Sequence, residues 1–190
     1  MHLHSWAMQI HDFCRKNNVN FHTAWVPREL NSIADEWSKF EDPDGWSVSL
    51  SLFEKAQCLM GENFTVDLFA SDQNNKCEKF FSRFACIGSA GVDAFDFSWF
   101  GEVCWITPPP KLALKALNHL RDSYSKGVLL IPSWKSLSVW PVIEDVDFRP
   151  FIKGSWEFPG KLFLENSREN SIMGPRFRGA IRLIALDFTM

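Results

Sequence analysis

Residues 64–83 read FTVDLFASDQNNKCEKFFSR and contain four features in a fixed order. These are an apolar run (Phe64, Val66), an acid (Asp67), a turn of small residues (Ala70, Ser71) and a polar segment (72–76). The order predicts a strand, an acidic strand end, a tight turn and a helix over 74–81, which is how doubly wound α/β sheets hold a ligand. Small side chains let the backbone approach a ligand, and the start of a helix has N–H groups without intrahelical partners. The alternative is an ordinary strand–loop–helix unit without a ligand, because short apolar runs are ambiguous.

Two later segments predict further strands that end in proline turns. Residues 101–110 read GEVCWITPPP, and residues 127–134 read GVLLIPSW. In a parallel sheet the carboxyl ends of the strands meet at one edge, where such folds bind their ligands. We therefore expect these two ends to line one crevice together with the end of the strand at Asp67.

Helical and strand patterns alternate along the rest of the chain. Helices are predicted over 5–17, 32–40, 46–61, 111–123 and 136–146, and strands over 19–26, 103–107, 128–131, 156–164 and 178–188. This alternation favours an α/β fold with a mostly parallel, Rossmann-like sheet, in which the two closing strands form an antiparallel edge. The turn cluster EDPDG at 41–45 predicts a boundary between two domains, 1–41 and 46–190.

Composition narrows the classes of function. A hydrophobic fraction of 46% and a charged fraction of 23% are typical of a globular protein with a sizeable core. A net charge of −3 means that any contact with nucleic acid needs a local basic patch. The best candidate is a run of four arginines, for which a solvated surface is the alternative: Arg168, Arg176, Arg178 and Arg182.

The cysteines and the apolar runs bear on the compartment. Five cysteines without a C-x-x-C pair, and no secretory signal, predict an intracellular protein with reduced thiols rather than a zinc module. No apolar run is long enough to cross a membrane, so no membrane partner is expected.

The stretch VPRELNSIADEWSK at 26–39 carries the first family resemblance. Its landmarks are Val26, Pro27, Asn31, Ala34, Asp35, Ser38 and Lys39. The stretch resembles the C-terminal end of the ribonuclease H domain in gypsy-like and DIRS-like retroelement polyproteins. The resemblance implies that residues 1–41 are a remnant of that domain, adjoining an upstream reverse transcriptase and ribonuclease H region, with nucleic acid as partner.

By this resemblance, Asp35 stands where the family places its last metal-binding carboxylate. The two-metal mechanism needs several carboxylates, and only Asp12 precedes Glu29 in this chain. We therefore expect Mg²⁺ not to bind productively and ribonuclease H activity to be lacking.

Residues 46–190 carry a second resemblance through a series of landmarks. In chain order these are Asp67, Ala70, Asn74, Cys77, Trp99, Pro108, Pro109, the strand end at 129–132, and Trp140. The series resembles the domain that follows ribonuclease H in DIRS-like retroelements and, more distantly, phage-type DNA N6-adenine methyltransferases. The resemblance implies a methyltransferase-like fold, S-adenosylmethionine as cofactor and DNA as partner.

Residue roles follow from this second resemblance. The cofactor would lie at Asp67, Phe69, Ala70 and Ser71, and the flipped-out adenine at a turn of four residues: Thr107, Pro108, Pro109 and Pro110. Active members of the family have Asn or Asp before the two prolines and an aromatic residue after them. This chain has Thr107 and Pro110 there, so we predict a degenerate domain with little or no catalysis. The alternatives are an active DNA adenine methyltransferase and a non-catalytic spacer or docking module.

Overall fold

A computed structural model describes residues 3–22, 24–27, 46–165, 173–174 and 177–189. The chain forms two compact units, Met1–Glu41 and Asp42–Met190.

The first unit begins with helix α1, Leu3–Lys16, which confirms the predicted helix over 5–17. The helix ends at Asn17, whose side chain and backbone both donate to the Phe13 carbonyl oxygen. The predicted strand over 19–26 is wrong, because its described residues adopt no regular structure. Alternation of apolar residues indicates one buried face, but a strand also needs a hydrogen-bonding neighbour. The predicted helix over 32–40, and Asp35 with it, lies outside the described residues.

The second unit is built on one seven-stranded sheet in the part of the chain that the structure describes. The strands are β1 (Val66–Asp67), β2 (Lys79–Ser82), β3 (Gly91–Val92), β4 (Val103–Ile106), β5 (Lys126–Pro132), β6 (Ile152–Pro159) and β7 (Ala180–Asp187). Their order is β3-β2-β1-β4-β5-β7-β6. Strands β1 to β5 pair in parallel, whereas β7 is antiparallel to both β5 and β6. The predicted mostly parallel sheet with an antiparallel edge is confirmed.

Four helices accompany the sheet among the described residues of this unit. They are α2 (Leu50–Met60), α3 (Ala113–Asp122), α4 (Trp140–Ile143) and α5 (Gly160–Phe163). Helix α2 begins after Ser49, whose hydroxyl accepts from the Leu52 amide, and ends at Gly61, whose φ of 71° is the left-handed conformation common after helices.

The helices over 46–61 and 111–123 are confirmed with shorter bounds. The helix over 136–146 shrinks to the single turn of α4, with Pro141 in its first turn, where a missing N–H costs nothing. The closing strand over 156–164 ends at Pro159, where α5 takes over.

The predicted helix over 74–81 is wrong, and β2 occupies its second half. The connection from β1 to β2 contains turns and no helix in any of its residues, all of which are described. Phe80 and Phe81 are 3% and 5% exposed. Consecutive side chains of a strand point to opposite faces, so a strand buries both phenylalanines where a surface helix would bury one. The helix start predicted after Ser71, with its unpaired N–H groups, is therefore absent from this fully described connection.

Each face of the sheet carries its own hydrophobic core. Val66, Cys104 and Ile106 point to the face covered by α3. Trp105 and Val103 point to the opposite face, which is covered by α2. Because side chains alternate, Asp67 at the end of β1 and Thr107 just after β4 lie on the α2 face, where the candidate site lies.

A prediction tests the close pairing of β4 and β5. Gly127 lies opposite Cys104, and a Cβ at position 127 would come within 2.2 Å of the Cys104 carbonyl oxygen. Since backbone cannot yield as a flexible side chain does, Gly127→Ala should lower the free energy of unfolding by about 3 kcal/mol or more. Gly61→Ala, which meets open space but needs a positive φ, should cost only about 1 kcal/mol in the same urea titration. Equal stability of Gly127→Ala and the wild type would contradict the observed register.

Candidate ligand-binding crevice

The candidate site lies at the point where the strand order changes direction. From β1 the chain continues to β2 and β3 on one side of the sheet and then returns to β4 on the other side. At such a switch point the two connections diverge and leave a crevice outside the carboxyl ends of the strands. Here the crevice lies beyond Asp67, the last residue of β1, and beside Thr107, which follows β4.

An open pocket occupies this crevice, and the space enclosed within it is about 10 Å³, roughly that of one water molecule. Its lining residues come from three segments: Trp46, Ser47 and Val48 before α2; Asp67, Phe69, Asn74 and Lys76 after β1; and Trp105 and Thr107 at the end of β4. The pocket brings together three of the predicted site residues, Asp67, Phe69 and Thr107, and a further landmark of the sequence, Asn74. The other singled-out residues of the two turns are not among its lining residues: Ala70, Ser71, Pro108, Pro109 and Pro110.

Asp67 is the buried acid of the pocket, with only 2% of its surface exposed. Its carboxylate accepts hydrogen bonds from the backbone N–H of Lys76 at 3.0 Å and of Phe69 at 3.4 Å. Burial raises the pKa of Asp67 to about 7, and the two hydrogen bonds and the charge of Lys76 oppose the rise. The Lys76 ammonium also lies 3.6 Å from Glu165. The pocket thus holds a carboxyl group whose charge changes near neutral pH.

The small-residue turn after β1 uses its own backbone donors. The Ala70 N–H donates to the Phe81 carbonyl at 3.0 Å, and the Ser71 N–H donates to the Asn74 side chain at 2.7 Å. The Ser71 hydroxyl donates to the same Asn74 oxygen at 3.1 Å. These bonds explain the tight turn and leave the N–H groups of Ala70 and Ser71 with partners inside the protein.

The proline turn after β4 is held by a residue that the sequence did not single out for the site. The Trp46 indole N–H donates to the Pro108 carbonyl oxygen at 3.0 Å, and Trp46 is only 4% exposed. Sequence patterns placed Trp46 at the start of a helix that in fact begins at Leu50. No local signal reveals the contact, because 62 residues separate the two partners.

The tryptophans after β5 pack largely as core residues. Trp134 and Trp156 lie against the core on the α2 face, and Trp140 against the core on the α3 face. In the basic candidate patch, Arg182 forms an ion pair with Glu157 at 2.6 Å, whereas Arg168 and Arg176 lie outside the described residues.

Side chains that can ligate a metal ion do not cluster in the part of the chain that the structure describes. No group of three or more His, Cys, Asp or Glu residues is arranged there to hold a metal ion. Burial raises the pKa of the Cys77 thiol to about 12 and also raises that of Cys104, so both stay protonated. None of the described helices is long and apolar enough to cross a membrane.

Comparison with known families agrees with the architecture of the sheet. The model of the family DNA N-6-adenine-methyltransferase (Dam) matches residues 22–189. The chain therefore belongs to this family of DNA adenine methyltransferases, and the methyltransferase resemblance is confirmed. A search of curated proteins gave no match. The matched range begins within the first compact unit, and the ribonuclease H and retroelement resemblances remain predictions.

The raised pKa of Asp67 predicts a pH dependence of stability. The pKa of Asp67 is higher in the folded protein than in the unfolded chain, so the protonated carboxyl group contributes to the stability of the fold. This contribution is fully present at pH values below the unfolded pKa and is lost as the pH rises through about 7. Asp67→Asn removes the titration. Between pH 5 and pH 8, the wild type should therefore lose on the order of 2 kcal/mol of unfolding free energy relative to Asp67→Asn.

Urea titrations at the two pH values check this prediction. Asp72→Asn, at an exposed position of the same connection, is the matched control and should follow the wild type. Parallel pH profiles for the wild type and Asp67→Asn would show that Asp67 does not titrate as a buried acid.

Proposed function

We propose that the crevice binds S-adenosylmethionine and that the chain acts on, or derives from an enzyme that acted on, adenine in DNA. The observation that carries this proposal is the meeting of Asp67 and Thr107, from two different strands, in one pocket at the switch point of the sheet. The family supplies the cofactor class and the substrate class. When bound, S-adenosylmethionine supplies an electrophilic methyl group.

The residues of the pocket partly fit such a cofactor. Asp67 offers a buried acceptor, and Trp46 and Phe69 offer aromatic walls. The enclosed volume of about 10 Å³ is far below the range of about 300–1,000 Å³ that is usual for ligand pockets. The engaged N–H groups of Ala70 and Ser71 remove two donors that a ligand would otherwise use. These features support weak rather than tight binding.

The turn that would hold the target base supports feeble catalysis. An adenine must leave the DNA stack before its amino group can react, so a pocket has to hold the extruded base. The Thr107 hydroxyl can accept a hydrogen bond from that amino group, but less strongly than an amide oxygen. Pro110 begins a short 3₁₀ turn, Pro110–Leu112, and offers little stacking surface. Loss of a group of this kind costs roughly 10²-fold in rate.

The resemblances also support an origin in a retroelement polyprotein. In this proposal, residues 1–41 are the remnant of a ribonuclease H-like domain and residues 46–190 are the methyltransferase-like domain. The landmarks at 26–39 support the first part. The chain would then work inside the cell beside a reverse transcriptase region.

A second candidate is a non-catalytic docking module on the same fold. The small pocket and the occupied backbone donors favour it over an active enzyme.

A double substitution separates a weakened site from a lost one. Thr107→Asn with Pro110→Tyr restores the amide acceptor and the stacking ring, so methyl transfer to adenine in duplex DNA should rise at least about tenfold. Mass spectrometry of N6-methyladenine, with labelled S-adenosylmethionine as donor, measures the gain. The same double substitution combined with Asp67→Ala is the control and should abolish it. If the double variant shows no gain although S-adenosylmethionine still binds, the docking module is favoured.

A further inference from the structure

Three consecutive prolines leave the turn after β4 without backbone donors of its own. Proline has no N–H, so residues 108–110 can be tied to the rest of the protein only through their carbonyl groups and by packing. Among the described residues, the Pro109 carbonyl accepts from the Leu112 N–H at 2.8 Å, within the turn itself. The Pro108 carbonyl accepts from the Trp46 indole at 3.0 Å, which is the tie to a distant segment.

The segment that carries Trp46 is itself fixed by backbone pairing. Val48 forms an antiparallel bridge with Leu164. On either side of this bridge, the Ser49 N–H donates to the Phe163 carbonyl at 2.7 Å and the Glu165 N–H donates to the Ser47 carbonyl at 2.9 Å. The indole N–H is therefore presented from a paired segment rather than from a loose chain end.

Trp46 lines the same pocket as Asp67 and Thr107. We propose that Trp46 is a positioning residue of the crevice. Its indole N–H holds the Pro108 carbonyl and thereby sets Thr107, the preceding residue, relative to Asp67. The consequence for a bound ligand rests on the proposed function, whereas the effect on the turn does not.

The alternative role of Trp46 is that of a packing wall, and a second tryptophan provides the matched comparison. The Trp140 indole also donates to a backbone carbonyl, that of Trp134, and Trp140 is partly buried. It lies against the core on the other face and does not line the pocket. Trp140→Phe thus removes the same kind of hydrogen bond from a tryptophan whose indole donates to Trp134 and not to the proline turn.

Hydrogen exchange of the Leu112 amide reports on the turn directly. In the full chain, Trp46→Phe should speed this exchange roughly three- to tenfold, the change expected for one lost hydrogen bond, while the β5 amides keep their protection. Trp140→Phe should leave the Leu112 amide unchanged. A general loss of protection, or no change at Leu112, would overturn the positioning role.

A shape-preserving variant guards against a packing artefact. Benzothienylalanine at position 46 keeps the bicyclic ring and lacks the N–H donor, so it should reproduce the faster exchange of Trp46→Phe. If the Leu112 amide of this variant exchanges at the wild-type rate, Trp46 acts through packing alone. This test remains valid even if Trp46→Phe fails to fold.

Equilibrium dialysis with S-adenosylmethionine adds the ligand readout. Trp46→Phe should weaken binding at least about threefold, and Trp140→Phe should not. If the wild type binds no S-adenosylmethionine but the exchange result holds, the proposed function fails and the positioning role stands. If the wild type and Trp46→Phe bind equally and exchange equally, the positioning role fails and the proposed function stands.

Discussion

The parallel pairing of β1 with β4 is the constraint on which the crevice depends. Val66 lies opposite Cys104 and Asp67 opposite Trp105, so the two strands end together at one edge. That register brings a buried acid and a buried hydroxyl from distant parts of the chain to the same face. A shift of one residue would turn every side chain of the strand to the other face and separate the two groups.

Placing Asp67 in this position has an energetic cost that the surrounding backbone partly offsets. Removal of a carboxylate from water disfavours its charged form, and the raised pKa records that cost. Hydrogen bonds from the N–H groups of Phe69 and Lys76 lower this cost. Both N–H groups can reach the carboxylate because the chain turns sharply after β1. A structural role alone would be served better by an apolar residue, so the buried acid favours a ligand-binding role.

Local sequence patterns predicted the elements that are long and periodic. The helix over 111–123 and the antiparallel edge follow from the spacing of apolar residues within one segment, and the strand over 103–107 follows from an unbroken apolar run. The helix over 74–81 failed because β2 has only two apolar residues, Phe80 and Phe81, between polar neighbours, whereas β4 is apolar throughout. The prediction of a strand over 19–26 failed because the sequence of one segment does not show whether a neighbouring strand is there to pair with it.

The site was predictable in part for the same reason. Asp67, Phe69 and Thr107 lie at or just after the ends of strands. The positions of these strand ends could be predicted from the order of the landmark residues in the sequence. Trp46 could not be found in this way, since its role arises from a contact with the carbonyl of Pro108 across the fold. Occupation of the Ala70 and Ser71 amides likewise depends on partners, Phe81 and Asn74, that only the folded turn supplies.

Calorimetric titration of the folded chain with S-adenosylmethionine tests the central claim most directly. We expect saturable, one-site binding of micromolar strength or weaker, which Asp67→Ala should abolish. The absence of binding heat at several temperatures, from a protein whose circular dichroism shows it to be folded, would contradict the claim. The family relationship would then describe the ancestry of the crevice and not its present use.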